Sequence, residues 1–121
     1  MALAHLLAED RAPPAAMWGE ELVSSRLLEY EVWTRVHARD LGRSHADAVR
    51  LTLARLSWVE MRPEVLTRAT LPFPLPVRTL DALHLASMTF LREHGYDVAL
   101  ATYDRRLAKV AETMDIHLAA V

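Results

Sequence analysis

The 121-residue sequence contains no cysteine, no excess of positive charge and no internal repeat. The lack of cysteine excludes a disulfide framework, a thiol nucleophile and any zinc or iron–sulfur site that uses thiolates. Fourteen Lys and Arg residues stand against sixteen Asp and Glu residues, which gives a formal charge of −2. The chain therefore has no global basic field with which to hold nucleic acid.

Long hydrophobic runs are also missing, because no segment approaches the roughly 18–20 consecutive apolar residues of a membrane span. The N-terminus has no basic region, so we do not expect a signal peptide. We expect a cytoplasmic protein without a membrane partner. With 52% hydrophobic residues, the length is that of a single domain, and we predict one domain over residues 1–121.

Short apolar strands and amphipathic helices alternate along the chain. Leu3, Leu6 and Leu7 have the spacing of a short N-terminal helix. Strands are predicted at 21–25, 58–61, 98–102 and 116–121, and the helices after the first begin at Leu27, Ser44, Pro63, Thr79 and Leu107. Glycines at 42 and 95 are predicted to end two of these helices, and three alternate prolines make 71–78 an extended loop. This alternation predicts an α/β domain with a parallel sheet.

Three acidic residues have positions suited to a site at the carboxyl edge of such a sheet. Asp104 follows the strand at 98–102, Asp81 opens the helix after the proline loop, and Glu31 lies in the helix after 21–25. If they converge, two carboxylates about 4 Å apart repel by roughly 4 kcal/mol at an effective dielectric of 20, so the group needs a cation or a raised pKa. Oxygen ligands select Mg²⁺ or Mn²⁺. The alternative is that Asp104 and Asp81 only cap helices while Glu31 is solvated.

Three segments around these acids resemble a known family. Residues 78–86 (RTLDALHLA) and 101–108 (ATYDRRLA) look like the blocks around the third and fourth acids of PIN-domain ribonucleases, in particular the VapC toxins. Residues 23–31 (VSSRLLEYE) are similar to the block with the second acid, in which a serine precedes the acid by six residues. This spacing selects Ser25 and Glu31 rather than Glu29.

The resemblance implies a PIN-like three-layer α/β/α sandwich and an endoribonuclease that depends on Mg²⁺ or Mn²⁺. Carried over by position, Glu31, Asp81 and Asp104 become the catalytic metal ligands, and Ser25 and Thr102 become supporting residues. The implied partners are an RNA substrate, a cognate antitoxin protein and a second copy of the chain in a homodimer.

One feature of the family is missing from the sequence. The family opens with a central strand that ends in Asp, whereas residues 1–7 match the helix after that strand, so we expect the first strand and its ligand to be absent. Glu9 and Asp10 are poor substitutes for the missing acidic ligand, because they lie at the far end of the predicted helix. A misassigned start, a rearranged sheet or a degenerate relative would each explain this departure. The alternative function is that of a catalytically degenerate PIN-like module for antitoxin binding or dimerisation. A third hypothesis is a structural α/β module in which the three acids lie far apart.

Further polar residues near these acids have competing interpretations. Arg105 and Arg106 directly follow Asp104, so they either contact RNA phosphate or lie on an exposed helix surface. His84 lies three residues after Asp81 on the same helix face, and we interpret it as a packing residue rather than a metal ligand.

Overall fold

The structure of the chain is a computed structural model that describes residues 2–4 and 21–120. Within these ranges, the structure has five strands and five helices. The strands are β1 (Ala2–Ala4), β2 (Leu22–Ser25), β3 (Ser57–Val59), β4 (Ala99–Ala101) and β5 (His117–Leu118). The helices are α1 (Leu27–Ala38), α2 (Gly42–Leu53), α3 (Pro63–Ala69), α4 (Thr79–Glu93) and α5 (Arg105–Thr113).

The five strands form one sheet in the order β3-β2-β1-β4-β5, and every neighbouring pair is parallel. Strand β1 lies in the centre, where Ala2 is opposite both Leu22 of β2 and Ala99 of β4. The prediction that the central strand is absent was therefore wrong, as was the helix predicted from Leu3. Residues 2–4 satisfy the facing backbone groups of two strands at once, which a helix there would leave unpaired. Leu6 and Leu7 of that predicted helix lie outside the described residues.

Helices cover both faces of the sheet. Leu22 of β2 packs in one core with α1 and α2, whereas its neighbour Val23 packs in a second core with α3, α4 and α5. Strand β4 alternates in the same way, with Leu100 in the second core and Ala101 in the first. Because successive strand residues point to opposite faces, this alternation requires three layers. The predicted α/β/α fold with a parallel sheet is confirmed.

Several element boundaries differ from those predicted. The strand expected at 116–121 covers only His117–Leu118, and α5 begins at Arg105 and not at Leu107.

The largest difference is around Gly42. Helix α1 ends at Ala38, and Asp40 has a φ of 54°, in the left-handed region that follows many helix ends. Gly42, predicted to end that helix, is the first residue of α2 instead. Ser44 consequently lies inside α2 and does not cap it.

The segment with alternate prolines forms neither helix nor strand, as predicted, and joins α3 to α4, but it bends at Leu71, Pro74 and Leu75 instead of being extended throughout. The longest described helix, α4, has fifteen residues, most of them buried. No helix in the described part of the chain is long and apolar enough to cross a membrane. The cytoplasmic location and the single domain over 1–121 stay predictions.

Candidate active site

The strand order creates a crevice between the carboxyl ends of β1 and β4. The chain leaves β1 towards β2 on one side of the sheet and leaves β4 towards β5 on the other. In parallel α/β sheets, such a reversal of strand order is where ligands bind. The residues after β4, and those that α1 and α4 bring to the same edge, are therefore the candidates for chemistry.

Asp104 follows β4 and caps helix α5. Its Oδ1 accepts hydrogen bonds from the backbone N–H groups of Arg106, at 2.9 Å, and of Leu107, at 3.2 Å. Its own backbone N–H donates to Oγ1 of Thr102 at 3.0 Å. Aspartate is a favoured N-cap because its carboxylate satisfies N–H groups at the positive end of the helix. The turn from β4 into α5 thus fixes Oδ1 of Asp104 and Oγ1 of Thr102.

Asp81 is the third residue of α4 and is buried, with 8% of its surface exposed. A buried carboxylate is costly unless a hydrogen bond, a cation or a raised pKa compensates for it. Its position in the first helical turn contributes one favourable interaction, because the helix N-terminus carries partial positive charge. The structure therefore places one of the predicted acids in an interior position.

Ser25, His84 and Glu31 form a continuous chain of hydrogen bonds. The Oγ of Ser25 lies 2.7 Å from Nδ1 of His84, and Nε2 of His84 lies 2.6 Å from Oε1 of Glu31. Ser25 and His84 are fully buried, and Glu31 is partly exposed. An ionised carboxylate can only accept, so Nε2 donates to Glu31, and a neutral ring then accepts the Ser25 hydroxyl at Nδ1. This arrangement fixes the side chain of Glu31 from the interior of the protein.

An ion pair between Arg26, which directly follows Ser25, and Glu60 joins the ends of β2 and β3. The Arg26 guanidinium donates to the Glu60 carboxylate at 2.9 and 2.6 Å and lies 4.7 Å from the ring centre of Trp58. The hydrogen bonds from Arg26 lower the pKa of Glu60, and those bonds raise the pKa of Arg26. The backbone N–H of Arg26 also donates to Val59. The pair holds the turn into α1, the helix that carries Glu31.

The structure links Glu31 to the helix that carries Asp81. His84, which contacts Glu31, is one helical turn from Asp81 on α4. Glu31 and Asp104 lie on opposite sides of the crevice, because they follow β2 and β4, which are separated by β1 and thus by two strand spacings, about 9.6 Å. Over residues 2–4 and 21–120, no three His, Asp or Glu side chains are close enough together to hold a metal ion.

The donor chemistry of Glu31, Asp81 and Asp104 fits a hard divalent cation, since all three offer carboxylate oxygens. The space between the two sides lies over the end of β1, whose last residue, Ala4, is followed in sequence by His5, outside the described residues. The roles of the three acids as ligands stay predictions, as do the supporting roles of Ser25 and Thr102.

His84 is the residue whose importance the sequence did not reveal. Its spacing from Asp81 indicated a shared helix face, but nothing local indicated the contacts to Ser25 and Glu31, which are 59 and 53 residues away. The expectation that His84 is buried was correct; it also hydrogen-bonds one of the candidate ligands. Arg105 and Arg106 are both exposed in the first turn of α5.

A protein-family model described as "PIN domain" matches residues 2–113, which is most of the chain. The chain belongs to the PIN-domain family. The resemblance identified from residues 23–31, 78–86 and 101–108 is thereby confirmed. The parallel sheet with β1 at its centre and helices on both faces is the scaffold of this PIN domain.

Curated relatives of this PIN domain include two named ribonucleases. Ribonuclease VapC46 of Mycobacterium tuberculosis (strain ATCC 25618 / H37Rv) is 37% identical over 99 residues, which cover 81% of this chain and 72% of the relative. Ribonuclease VapC35 of Mycobacterium tuberculosis (strain CDC 1551 / Oshkosh) is 32% identical over 99 residues, covering 81% and 71%. No solved structure matches the chain significantly.

Proposed function

We propose that this PIN domain is an endoribonuclease toxin of the VapC type, which hydrolyses phosphodiester bonds of RNA. The observation that carries the proposal is the 37% identity to Ribonuclease VapC46 over 81% of the chain. The hydrogen-bonded Glu31 and the buried Asp81 support the proposal, because a nuclease of this kind needs fixed carboxylates at the substrate.

Glu31, Asp81 and Asp104 are the residues that would hold the divalent ion, with Mg²⁺ or Mn²⁺ as the expected metal. When bound, such an ion supplies a water nucleophile of lowered pKa and neutralises charge on the phosphate. The protein itself orients the carboxylates that would hold the ion. Ser25 and His84 position Glu31 through their hydrogen-bond chain, and Thr102 supports the turn that presents Asp104.

The partners follow from the same family. We propose an RNA substrate held partly by Arg105 and Arg106, a cognate antitoxin protein that blocks the enzyme, and a homodimer as the working form. Both arginines are exposed beside Asp104, which supports a contact with the phosphate backbone.

A second candidate function is a degenerate PIN domain that binds the antitoxin or dimerises without cleaving RNA. The observation that favours it is the lack of a three-residue metal group within residues 2–4 and 21–120. The two functions differ in metal affinity. Micromolar binding of Mn²⁺ that is lost in Asp81→Asn would exclude the degenerate module.

Cleavage of labelled RNA with Mn²⁺ and with a chelator tests the main proposal directly. We expect cleavage only with the metal, and its loss in Glu31→Gln and Asp81→Asn, since each substitution removes a charged oxygen ligand while preserving shape. The matched control is Asp47→Asn, which makes the same change at an exposed site on α2. Full cleavage by both Glu31→Gln and Asp81→Asn would show that the assignment of the site is wrong.

A further inference from the structure

A cavity of about 460 Å³ separates the end of the proline-containing loop from helix α5. Three basic side chains line it, Arg78 from the loop and Arg106 and Lys109 from α5. Its apolar part is formed mainly by Leu75, Val77 and Val110. We call this space the cationic cavity.

The three cations of the cavity form no ion pair with an acid in the described part of the chain. No Asp or Glu of that part lines the cavity. All three residues are exposed. Three like charges around one space repel each other, so an anion that enters the space relieves the repulsion and forms charge-assisted hydrogen bonds.

Two residues that line the cationic cavity are close in sequence to two of the proposed catalytic acids. Arg78 immediately precedes α4 and lies three residues before Asp81. Arg106 lies two residues after Asp104, and its backbone N–H donates to the carboxylate of Asp104. The cavity and these two acids are therefore formed by the same two chain segments, the start of α4 and the start of α5.

The wall formed by the loop is rigid. Pro74 and Pro76 fix two φ angles near −65°, and Leu75 and Val77 pack against the core shared by α3, α4 and α5. Arg78 continues this wall with an extended backbone, at φ −78° and ψ 160°. A site that is already formed loses little entropy when it binds a ligand, which favours binding of a flexible chain such as single-stranded RNA.

We propose that the cationic cavity binds the RNA backbone at a phosphate next to the one that is cleaved. This inference rests on the proposed ribonuclease function and adds the location of a substrate subsite. The fork of each arginine matches two oxygens of one phosphate, and Lys109 acts as a point charge. Contacts of this kind position the strand and read no sequence.

Salt dependence of RNA binding tests the subsite. A fluorescein-labelled single-stranded RNA of about twelve nucleotides would be titrated with the full chain, with chelator present, over a series of salt concentrations. For single strands, the slope of log affinity against log salt is about −0.7 for each neutralised phosphate. We expect Arg78→Gln, Arg106→Gln and Lys109→Gln each to weaken binding, and the triple variant to reduce the magnitude of the slope by about 0.7, the contribution of one neutralised phosphate, while Lys109→Arg retains the wild-type slope.

The matched control is Arg43→Gln, because Arg43 is an exposed cation on α2 that does not line the cavity. An equal loss in this control would overturn the inference by showing a general charge effect. An unchanged slope and an unchanged RNA affinity in the triple variant of an enzyme that still cleaves RNA would overturn the subsite alone. A wild-type chain that neither binds nor cleaves RNA would overturn the proposed function as well. Variants that keep RNA affinity but no longer bind a hexaglutamate peptide would assign the cavity to an acidic protein segment and overturn the subsite.

Discussion

The two sides of the crevice hold their acids by different means. On the β2 side, Glu31 is fixed by His84 and Ser25, residues that the fold brings together from distant parts of the chain. On the β4 side, Asp104 is fixed by Thr102 and by two N–H groups within three residues of it. One acid depends on tertiary packing and the other on local sequence.

This difference determines what a substitution does on each side. A change in the Ser25–His84–Glu31 chain disturbs buried polar groups, where a lost hydrogen bond is costly because water cannot replace it. A change at Asp104 affects a partly exposed helix end, where water can take over part of the lost interaction. We therefore expect the larger effects on the β2 side.

The largest effect is expected from two isosteric changes at His84. In His84→Gln the side-chain amide reaches the place of Nε2 and still donates to Glu31, whereas in His84→Asn it reaches only the place of Nδ1, near Ser25. We expect His84→Asn to weaken Mn²⁺ binding by about 10–100-fold, the usual cost of losing a group that orients a ligand. His84→Gln retains most of the affinity, which titration calorimetry measures.

The tautomer of His84 gives a readout that does not depend on metal. We expect ¹⁵N NMR of the metal-free wild type to show protonated Nε2 and unprotonated Nδ1, as the contacts to Glu31 and Ser25 require. Equal losses of Mn²⁺ affinity in His84→Gln and His84→Asn would contradict the positioning role and leave only a packing role.

A smaller effect is expected from two adjacent buried serines of β2. Ser25 contacts His84, whereas the buried hydroxyl of Ser24, on the other face of the strand, has no hydrogen-bond partner among the described residues. Ser25→Ala should lower the free energy of unfolding by about 1–3 kcal/mol, since it disrupts a buried hydrogen bond. Ser24→Ala should leave it unchanged or raise it slightly, because it removes a buried hydroxyl without a described partner.

Urea unfolding of both serine variants measures the difference as a shift in the midpoint at constant slope. Each variant removes the same atom from the same strand, so Ser24→Ala controls for the loss of volume. Equal destabilisation by the two substitutions would mean that the contact between Ser25 and His84 contributes nothing to stability.

The same contrast explains which parts of the structure could be predicted from the sequence. The cap at Asp104, considered as the alternative to a metal ligand, and the helix that begins at Pro63 depend on residues a few positions apart, and the structure shows both. The contact between Glu31 and His84 joins residues 53 positions apart, so only the packing of α1 and α4 against β2 creates it. Strand β1 was missed because a segment as short and apolar as Ala2–Ala4 has no periodicity that distinguishes a strand from a helix. Its conformation is determined by pairing with β2 on one edge and β4 on the other.

The smallest effect in free energy is expected at Asp104, where two substitutions separate structure from catalysis. Asparagine keeps an oxygen that caps α5, so Asp104→Asn should unfold within about 0.5 kcal/mol of the wild type, whereas Asp104→Ala loses the cap and about 1 kcal/mol. For a chain of this length, the loss in Asp104→Ala lowers Tm by about 4 °C, which calorimetry detects. Both variants lose the carboxylate and should lose RNA cleavage. If Asp104→Asn still cleaves RNA at the wild-type rate, Asp104 is only a helix cap, and the carboxylates on the β2 side must hold the metal without it.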